Sequence, residues 1–562
     1  MTLSASTKAE TQTLPAYRRI AEAFGAEGVE ACFALLGDGN MNVCAALAER
    51  PEMRMIYARH EQCAVAMAMG YARASGRLGV ASVTCGPGIT QISTALTVAA
   101  RARIPLVVFA GETPAEAPFH AQSIDQGAYV RASGARYISA ASPARLLSDL
   151  QDAFLTAMRD RCPVVIGVPY DLQKRPLPSG ASYSPSAGLL PEVGRMHPDP
   201  TFVGRAAEMV RNADRIIVLG GRGVLSSEAI NACIRLADAC GALMATTLPA
   251  RGLFDASPYS IGIVGGFSSR LAREKFAEAD LVILVGASLA SHASMGGRMF
   301  NQAKVIQIDT EPLGKNQGGR VADLYVRADA RAGAEVLESS VVAARPAADW
   351  RSDDVVRRAV EEAPDGEPAT PADGLDPRAV AAELERSIPL DWELVSGAGH
   401  SSFFYSNLRG RGPGKFHAIR EFGVIGDGIS YAIGVATARA GAKIVLTEGD
   451  GSLMMHAQEL ETIRRHGLNI LICVFNDGGY GSELHKMRHE GLAEDGAFFG
   501  RGDMAAIARG FGIEGETVTS ISDLVAGIGR FQASGKALLL DIHISDEILS
   551  PNMRQLTGRP GG

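Results

Sequence analysis

The clearest pattern of apolar and polar positions lies between residues 442 and 483. The β-branched run Ala442–Glu448 predicts a buried strand that ends in Gly449-Asp450-Gly451. After Ser452, a residue type that commonly caps helices, Leu453–His466 repeats apolar positions at helical spacing. A second apolar run, Asn469–Phe475, predicts another strand, which ends in Asn476-Asp477-Gly478-Gly479. A strand, a helix and a second strand in this order predict a parallel βαβ unit.

Two acidic residues follow these predicted strands, Asp450 after the first and Asp477 after the second. Because the carboxyl ends of parallel strands lie at one edge of a sheet, we expect the two side chains to lie close together. Two carboxylates, a backbone carbonyl at Gly479 and the oxygens of a diphosphate would form the octahedral, all-oxygen site that Mg²⁺ prefers. The first turn of the helix would add amide donors for the same diphosphate. As an alternative, both segments fit ordinary turns, and the second could close a hairpin or a loop.

A second candidate site lies near the N-terminus, where Glu61 stands at the head of an apolar, alanine-rich segment. A helix over this segment is followed by an apolar strand that ends in Thr84-Cys85-Gly86-Pro87-Gly88. A charged and unpaired carboxylate would be costly in such surroundings. A carboxylate that faces solvent in the first turn of the helix is the alternative.

Linker-like segments between apolar stretches of the chain predict three domains. The first, residues 14–175, ends in an apolar strand that leads into a segment rich in Pro and Ser. The second, residues 197–345, contains three apolar runs that each end in a turn, as in a Rossmann-like sheet. The third, residues 375–562, follows a charged linker rich in Pro and Ala. We therefore predict an α/β protein with three doubly wound parallel-sheet domains.

Composition narrows the class of protein. Of the 562 residues, 46% are hydrophobic and 21% are charged, as expected for an α/β enzyme with several cores. A formal net charge of −7 argues against a nucleic-acid surface. We expect no membrane contact, because no segment is long and apolar enough to span a bilayer and the residues before Leu14 lack a signal-peptide core. Eight scattered cysteines without a CxxC pair are typical of a reduced, cytoplasmic protein.

The GDG segment, its spacer and the NDGG ending resemble the diphosphate-binding motif of thiamine diphosphate (ThDP) enzymes. The resemblance implies that the side chains of Asp450 and Asp477 and the carbonyl of Gly479 bind Mg²⁺. Most members have Asn at the position of Asp477, so the metal must offset one additional negative charge. The resemblance also implies cofactor contacts from the same segment, at Gly449, Gly451, Ser452 and Tyr480.

Three further segments resemble the same family. RHE, GYARASG, TCGPGITQ and ARIPLVVFAGETP resemble, in this order, its pyrimidine-binding domain, with Glu61 as the residue that hydrogen-bonds the aminopyrimidine ring and promotes loss of the thiazolium C2 proton. EFGVIGDG places Ile425 under the bend of the cofactor and the Gly423 carbonyl at its ring amine. SGAGHSS resembles a diphosphate-contacting loop, which implies roles for Gly399, His400 and Ser401. For the last two segments, glycine-rich loops that cap a sheet are the alternative.

Within the family, nearly the whole chain resembles the acetolactate synthase branch, which implies a 2-keto acid or acyloin substrate. Gln122 aligns with an active-site glutamine of those synthases, His120 lies beside it, and Asn40 is a polar group that could meet substrate. Glu483 stands six residues after Asp477, where decarboxylases of the family have a glutamate that transfers protons. For Glu483, a solvent-facing residue at the start of a helix is the alternative.

The resemblance further implies a homodimer as the minimal active unit, with a homotetramer common, because the first and third domains meet at one cofactor between subunits. Gly220-Gly221-Arg222-Gly223 could cradle the phosphates of FAD, but the segment after the next apolar strand departs from the flavin-binding pattern. A turn packed against its helix is the alternative there. A 2-keto acid decarboxylase, a hydroxy-ketone lyase, a non-catalytic regulatory relative and a flavin-dependent oxidoreductase stay open as alternative functions.

Overall fold

The computed structural model describes residues 13–178, 183–312, 320–341, 347, 349–364 and 366–557. Residues 179–182 of the predicted Pro/Ser-rich linker lie outside this part, as do residues 342–346 and 558–562 at the ends of the second and third predicted domains. Three parallel sheets of six strands each form the described protein. A separate antiparallel pair joins β1 (Thr13–Pro15) to β8 (Pro176–Pro178).

The first sheet consists of β2 (Ala31–Ala34), β3 (Arg54–Tyr57), β4 (Gly79–Val83), β5 (Leu106–Glu112), β6 (Arg136–Ser139) and β7 (Pro163–Pro169). Its strand order is β3-β2-β4-β5-β7-β6. Its helices are α1 (Ala16–Ala26), α2 (Met41–Ala48), α3 (Glu61–Ser75), α4 (Pro87–Gln91), α5 (Ser93–Ala102), α6 (Gln126–Ala132), α7 (Leu146–Asp160) and α8 (Tyr170–Gln173). Helix α3, which starts with the predicted site residue Glu61, begins after His60, whose ring accepts a hydrogen bond from the Gln62 amide. It ends at Gly76, which has a left-handed backbone conformation.

The second sheet consists of β9 (Ile216–Gly220), β10 (Leu243–Thr246), β11 (Ser260–Ile263), β12 (Leu281–Val285), β13 (Lys304–Asp309) and β14 (Leu324–Arg327). Its strand order is β11-β10-β9-β12-β13-β14. Its helices are α9 (Pro200–Arg211), α10 (Arg222–Ser226), α11 (Ile230–Cys240), α12 (Arg270–Glu278), α13 (Ser291–Ser294) and α14 (Ala330–Ser340). The charged segment that follows was predicted as a linker, but it contains a helix, α15 (Asp353–Glu361), that begins at the Ser352 cap.

The third sheet consists of β15 (Glu393–Ser396), β16 (Phe416–Ala418), β17 (Ile444–Gly449), β18 (Ile470–Asn476), β19 (Glu514–Val518) and β20 (Leu538–His543). Its strand order is β16-β15-β17-β18-β20-β19. Its helices are α16 (Pro377–Ser387), α17 (Ser402–Tyr405), α18 (Gly428–Ala438), α19 (Asp450–Met455), α20 (Glu459–Arg465), α21 (Gly481–Glu490), α22 (Met504–Gly510), α23 (Ile521–Ser534) and α24 (Pro551–Thr557). The predicted fold class, three parallel α/β sheets, is therefore confirmed.

The single helix predicted for Leu453–His466, with Ser452 as its cap, is wrong. The helix begins at Asp450, directly after the extended Gly449, and stops at Met455 before α20 begins. The break occurs at His456, whose Nδ1 lies 2.9 Å from the carbonyl oxygen of Gly426, a residue of another loop. A tertiary contact thus interrupts a pattern that is locally helical.

Helices α3 and α18 join the first and third domains. Their side chains belong to one hydrophobic cluster, which includes Val65 from the first domain and Ile433 from the third. A methyl group on Gly434 would overlap the Met67 carbonyl, so the two helices approach more closely than larger side chains allow. The two domains of one chain therefore share a continuous core.

None of the helices in the described residues is long and apolar enough to cross a membrane. The eight cysteines form no disulfide, and all of them except the half-buried Cys162 are buried. Burial raises the pKa of the Cys233 thiol to about 12, which keeps it protonated and unreactive. The predicted role of the cysteines as core residues agrees with these positions.

Candidate cofactor and metal site

The two predicted metal ligands lie side by side at the carboxyl ends of adjacent strands. Strands β17 and β18 pair in parallel, with Gly449 opposite Phe475, so that Asp450 and Asp477 leave the same edge of the sheet. The Gly478 amide donates to Asp450 Oδ2 over 3.1 Å, and the Gly479 amide donates to Asp477 Oδ1 over 3.2 Å. Both carboxylates are buried. The structure thus brings together the two side chains that the strand pattern predicts to meet.

The electrostatics of this pair suit a divalent cation. Burial raises the pKa of Asp450 to about 6. Burial and the neighbouring charge of Asp450 raise the pKa of Asp477 well above its usual range. In the part of the chain that the structure describes, neither carboxylate forms an ion pair with Arg or Lys. Two buried carboxylates without a positive partner favour a proton or a cation, and a hard cation with oxygen ligands fits them best.

The predicted carbonyl ligand, Gly479, lies on the turn that leaves β18. The carbonyls of Gly478 and Tyr480 on either side accept hydrogen bonds from the Phe499 and Leu484 amides. The Gly479 carbonyl accepts none of the turn or cap hydrogen bonds among the described residues. An oxygen ligand beside the two carboxylates is therefore available for a metal.

The two glycines of the GDG turn serve different purposes. A methyl group on Gly451 would lie 2.7 Å from the ring of Tyr480, so this glycine admits the tyrosine. Around Gly449 the nearest atom to such a methyl group would be Ser401 Oγ, at 3.6 Å. The backbone at Gly449 is therefore the part of the turn that a phosphate could approach.

The loop with the predicted residues Gly399, His400 and Ser401 borders the carboxylate pair. Gly399 has a φ of +113°, a conformation that favours glycine. His400 Nε2 accepts the backbone amide of Ser550 over 3.0 Å, so the neutral ring carries its proton on Nδ1. Burial lowers the pKa of His400 well below its usual range, which keeps the ring neutral. His400 is thus held as a hydrogen-bond donor at Nδ1.

Gly481 shows how close His400 lies to the metal ligands. A methyl group on Gly481 would be 2.6 Å from Asp477 Oδ2 and 3.1 Å from His400 Nδ1. Both polar atoms therefore border the same small space at the start of α21. A diphosphate bound through a metal at Asp477 would lie within reach of the His400 donor.

The loop with the predicted residues Gly423 and Ile425 is held in place by other residues of the third domain. Gly423 and Gly426 have φ values of +71° and +95°, in the region that favours glycine. The Gly426 amide donates to Ser452 Oγ over 2.8 Å, and the Ser452 hydroxyl donates to Glu448 Oε1 over 2.6 Å. Ser452 therefore positions the loop that carries Ile425, and the direct cofactor contact that the resemblance implies for Ser452 stays a prediction.

A partly buried ion-pair network connects this loop to the other two domains. Glu421 pairs with Arg73 of the first domain and lies 3.5 Å from an Arg222 nitrogen of the second. Burial acts to raise the pKa of Glu421, but the two guanidinium groups outweigh it and lower the pKa to about 2. The charged carboxylate thus joins all three domains four residues before Ile425.

Glu61, the predicted pyrimidine-binding residue, is the first residue of α3 and is half-buried. The residues around it bind the third domain of the same chain. The side-chain amide of Gln62 donates to Asp427 Oδ1 and Oδ2 over 3.1 and 3.2 Å, and the Arg59 amide donates to Glu459 over 2.9 Å. The end of α3 that presents Glu61 is therefore rigidly placed.

The predicted substrate contacts are only partly supported by geometry. Asn40 is fully buried: its amide donates over 3.0 Å to the Leu35 carbonyl and to Ser82 Oγ, and its oxygen accepts the Gly37 amide over 2.8 Å. Both ends of its amide group are engaged, by the turn and by strand β4, so the geometry favours a structural role over a substrate contact.

Gln122 and His120 lie together above the loop after β4. Cys85 Sγ lies 3.1 Å from Gln122 Oε1, and His120 Nδ1 accepts the Gln122 amide over 3.2 Å. The His120 ring faces Tyr170, with ring centres 5.9 Å apart. These two residues stand at the carboxyl end of the first sheet, where ligands of α/β proteins bind.

Glu483 faces solvent in this chain. Its side chain is 58% exposed and forms an ion pair with Lys486 at 3.2 Å, one turn along α21. This geometry matches the alternative of a surface glutamate in the first turn of a helix. It provides no contact with the carboxylate pair.

Sequence reasoning missed several buried polar residues at the site, namely Gln62, Asp427, Glu448 and His456. Burial raises the pKa of Glu448 to about 7, and burial also raises the pKa of Asp427. A signal was present for Glu448, a carboxylate at the end of an otherwise apolar strand. The others have partners distant in sequence, which no local pattern reveals.

The glycine cluster proposed for FAD is engaged in packing. The amides of Gly221 and Gly223 donate to the carbonyls of Val285 and Gly286 over 3.0 and 2.9 Å. A methyl group on Gly223 would lie 2.5 Å from Gly286 Cα. The arrangement fits the alternative of a turn packed against its neighbour and offers no support for a phosphate cradle.

Comparison with known protein families identifies the class of this protein. Residues 16–128 match the N-terminal TPP binding domain of thiamine pyrophosphate enzymes, residues 203–338 match the central domain, and residues 397–542 match the C-terminal TPP binding domain. The chain therefore belongs to the thiamine pyrophosphate (ThDP) enzyme family, as the motif resemblance predicted. The range 203–338 contains all six strands of the second sheet, and the other two ranges cover most of the first and third sheets.

Within that family the chain is an acetolactate synthase-like enzyme. A Mycobacterium tuberculosis protein whose name assigns it provisionally to the acetolactate synthase large subunits is 30% identical over 89% of this chain and 92% of its own length. The acetolactate synthase isozyme 2 large subunit of Escherichia coli is 26% identical over 94% of this chain and 95% of its own length. The acetolactate synthase large subunit of Parasynechococcus marenigrum is 27% identical over 95% and 88%, respectively.

Proposed function

We propose that this enzyme uses ThDP and Mg²⁺ to make or break a carbon–carbon bond beside a carbonyl group, with a 2-keto acid or an acyloin as substrate. The observation that carries the proposal is the buried Asp450–Asp477 pair at the ends of β17 and β18, which lacks a cationic partner among the described residues. Family membership supplies the cofactor, and the carboxylate pair supplies the position of its diphosphate end.

The residues around the pair divide the remaining tasks. Asp450, Asp477 and the Gly479 carbonyl would hold Mg²⁺, and the Nδ1–H group of His400 would donate a hydrogen bond to the diphosphate. Ile425 would support the cofactor from below, on a loop that Ser452 and His456 fix at Gly426. When bound, the cofactor would supply an electron sink that stabilises negative charge at the former carbonyl carbon.

Glu61 would hold a proton at the aminopyrimidine ring, as the resemblance implies. We propose that it does so for a cofactor bound by a second copy of the chain, which makes a homodimer the minimal active unit. Large exposed apolar side chains on both domains support this proposal: Leu36, Met41, Phe119 and Ile124 in the first, and Phe422, Met454, Met455 and Phe499 in the third. Such surfaces favour association.

Acetolactate formation from pyruvate is the specific reaction that we propose, since it is the activity in the names of the relatives. The decarboxylase alternative rested on Glu483, and the solvent-facing position of that residue does not favour it. The flavoenzyme alternative rested on the glycine cluster, whose amides are engaged by β12 and its loop.

Incubation of the purified protein with ThDP, Mg²⁺ and pyruvate, followed by identification of the product, tests the proposal. We expect acetolactate. Release of acetaldehyde alone would show that the protein is a decarboxylase and not a carboligase. If neither pyruvate nor any of a panel of 2-keto acids and acyloins gave a product, the proposed chemistry would be contradicted. The Asp450→Ala variant serves as the cofactor-free control.

A further inference from the structure

A group of three metal-ligating side chains lies at the junction of the first and third domains, apart from the carboxylate pair. His60 and Cys63 come from the start of α3, and His456 comes from the break between α19 and α20. One ligand atom from each of the three lies within 4.8 Å of the others. The two imidazole ring centres are 5.6 Å apart.

We infer that His60, Cys63 and His456 bind a transition-metal ion of the Zn²⁺ class, with water as a fourth ligand. Two imidazole nitrogens and one thiolate form a donor set that prefers borderline or soft cations, in contrast to the oxygen ligands offered by Asp450 and Asp477. Three protein ligands and one water complete a tetrahedron. The inference does not depend on the proposed cofactor chemistry.

The surroundings of His456 orient it as a ligand. Its Nδ1 lies 2.9 Å from the Gly426 carbonyl oxygen and 3.9 Å from Asp427 Oδ1, and both oxygens favour a proton on Nδ1. The lone pair of the neutral ring is then on Nε2, the nitrogen that is free for a metal. A backbone carbonyl or carboxylate behind a histidine ligand is the usual arrangement in metal sites.

The other two ligands must change their hydrogen bonds when the ion binds. His60 Nδ1 accepts the Gln62 amide over 3.1 Å, so ligation through Nε2 moves the ring proton to Nδ1 and gives up this cap. Cys63 is buried beside the Glu459 carboxylate, and burial raises the pKa of its thiol well above the usual range. The ion must displace this thiol proton as the metal–sulfur bond forms, and the proton leaves to solvent.

Glu459 makes the exchange electrostatically favourable. It is buried, and its two oxygens accept the Arg59 amide over 2.9 Å and the Thr462 hydroxyl over 2.7 Å. Burial raises the pKa of this carboxyl group, and a divalent cation bound beside it at Cys63 and His456 would favour its ionised form. A bound ion would therefore join α3 to the break before α20.

Cobalt titration of the full-length protein tests the inference. The protein is held at saturating ThDP and Mg²⁺, so that the Asp450–Asp477 site is occupied, and Co²⁺ stands in for Zn²⁺. We expect one Co²⁺ per chain, with absorption bands of a tetrahedral ion and of thiolate-to-cobalt charge transfer, release of about one proton, and displacement by Zn²⁺. The Asp450→Ala variant should give the same spectrum.

The variants separate this site from other histidines and thiols. Cys63→Ser should remove the charge-transfer band, and His456→Asn should weaken Co²⁺ binding about 100-fold or more, since changes behind a ligand already weaken binding by about 10–100-fold. Cys162→Ser and His489→Asn, which change one half-buried thiol and one exposed ring elsewhere, should bind as wild type does.

Two results would overturn the inference: no thiolate band with the wild-type protein, or wild-type binding by either Cys63→Ser or His456→Asn. If Cys63→Ser fails to fold, as circular dichroism would reveal, His456→Asn tests the inference instead, because it changes the break between α19 and α20 and leaves the side chains of α3 unchanged.

Discussion

Two glycine-rich turns in this protein look alike in sequence and differ in what surrounds them. GGRG at 220–223 and GDG at 449–451 both end a parallel strand and begin a short helix. In the first, the Gly221 and Gly223 amides are hydrogen-bonded to Val285 and Gly286. In the second, a methyl group on Gly449 would make only ordinary contacts, the nearest with Ser401 Oγ at 3.6 Å, and Asp450 lies beside another buried carboxylate. A glycine turn predicts a ligand site only where donors or charges are left without protein partners.

The largest effect is expected at the GDG turn. Asp450→Ala should abolish measurable ThDP binding in calorimetry at saturating Mg²⁺, because it removes one of the metal's two carboxylate ligands. Gly221→Ala in the other turn is the matched control and should bind ThDP with unchanged affinity. Equal loss in both variants would remove the distinction between the turns.

Glu421→Gln tests whether Arg222 of the GGRG turn stabilises the protein through its ion pair with Glu421. The change leaves Arg73 and Arg222 without their carboxylate, and we expect a loss of about 1.5–3 kcal/mol in the free energy of unfolding, the usual worth of a hydrogen bond between charged groups. It is measured by denaturant unfolding, with the exposed Glu192→Gln as control. Wild-type stability would contradict a linking role for Arg222.

The same carboxylate predicts a pH dependence. The folded-state pKa of about 2 lies below the usual 4.5, so the stabilisation is complete above about pH 4.5 and is lost as the pH falls toward 2. The melting temperature of Glu421→Gln should therefore fall less steeply than that of the wild type over this range. If the melting temperatures of the two proteins fell in parallel with pH, the ion pairs of Glu421 would not contribute to stability.

Gly221→Ala should destabilise the middle domain by about 1–3 kcal/mol, the usual effect of forcing atoms into a packed region. The added methyl group would overlap the Gly286 carbonyl and press on Ala287. Gly188→Ala, where such a methyl group has no atom within 4 Å, is the control. A neutral Gly221→Ala would mean that the turn has room for a ligand after all.

The smallest effect is expected from Asp477→Asn in the cofactor-free protein. Removal of one of two neighbouring carboxylates relieves repulsion, so the free energy of unfolding at neutral pH should increase by about 1–2 kcal/mol. A higher melting temperature would show this gain. Saturating Mg²⁺ and ThDP should reduce or reverse the gain, since the metal favours the charged ligand. A loss of stability without cofactor would show that Asp477 is not repelled by Asp450.

The sequence predicted the parts of the site that depend on local pattern. Two apolar runs predicted β17 and β18, and parallel pairing then required Asp450 and Asp477 to meet. The predicted helix over Leu453–His466 failed because its break depends on Gly426, which lies 30 residues away from His456. Likewise, Gln62 and Asp427 are 365 residues apart, and only the packing of α3 against α18 brings them together.

Asn40 shows a different limit. Its position after a glycine turn is compatible both with a ligand contact and with a turn that folds back on itself. The hydrogen bonds of Asn40 to Leu35, Gly37 and Ser82 favour the folded-back turn, and the bond to Ser82 depends on the neighbouring strand β4. Residue type alone cannot tell whether a polar group is already satisfied.

The central claim is that Glu61 activates a cofactor held by Asp450 and Asp477. Exchange of the C2 proton of protein-bound ThDP into deuterated water tests it most directly, by NMR after acid quench. We predict that Glu61→Gln binds ThDP within about 10-fold of wild type but slows the exchange by about 100-fold or more, as expected for loss of a general acid–base group. Exchange and turnover at the wild-type rate in Glu61→Gln would contradict the account.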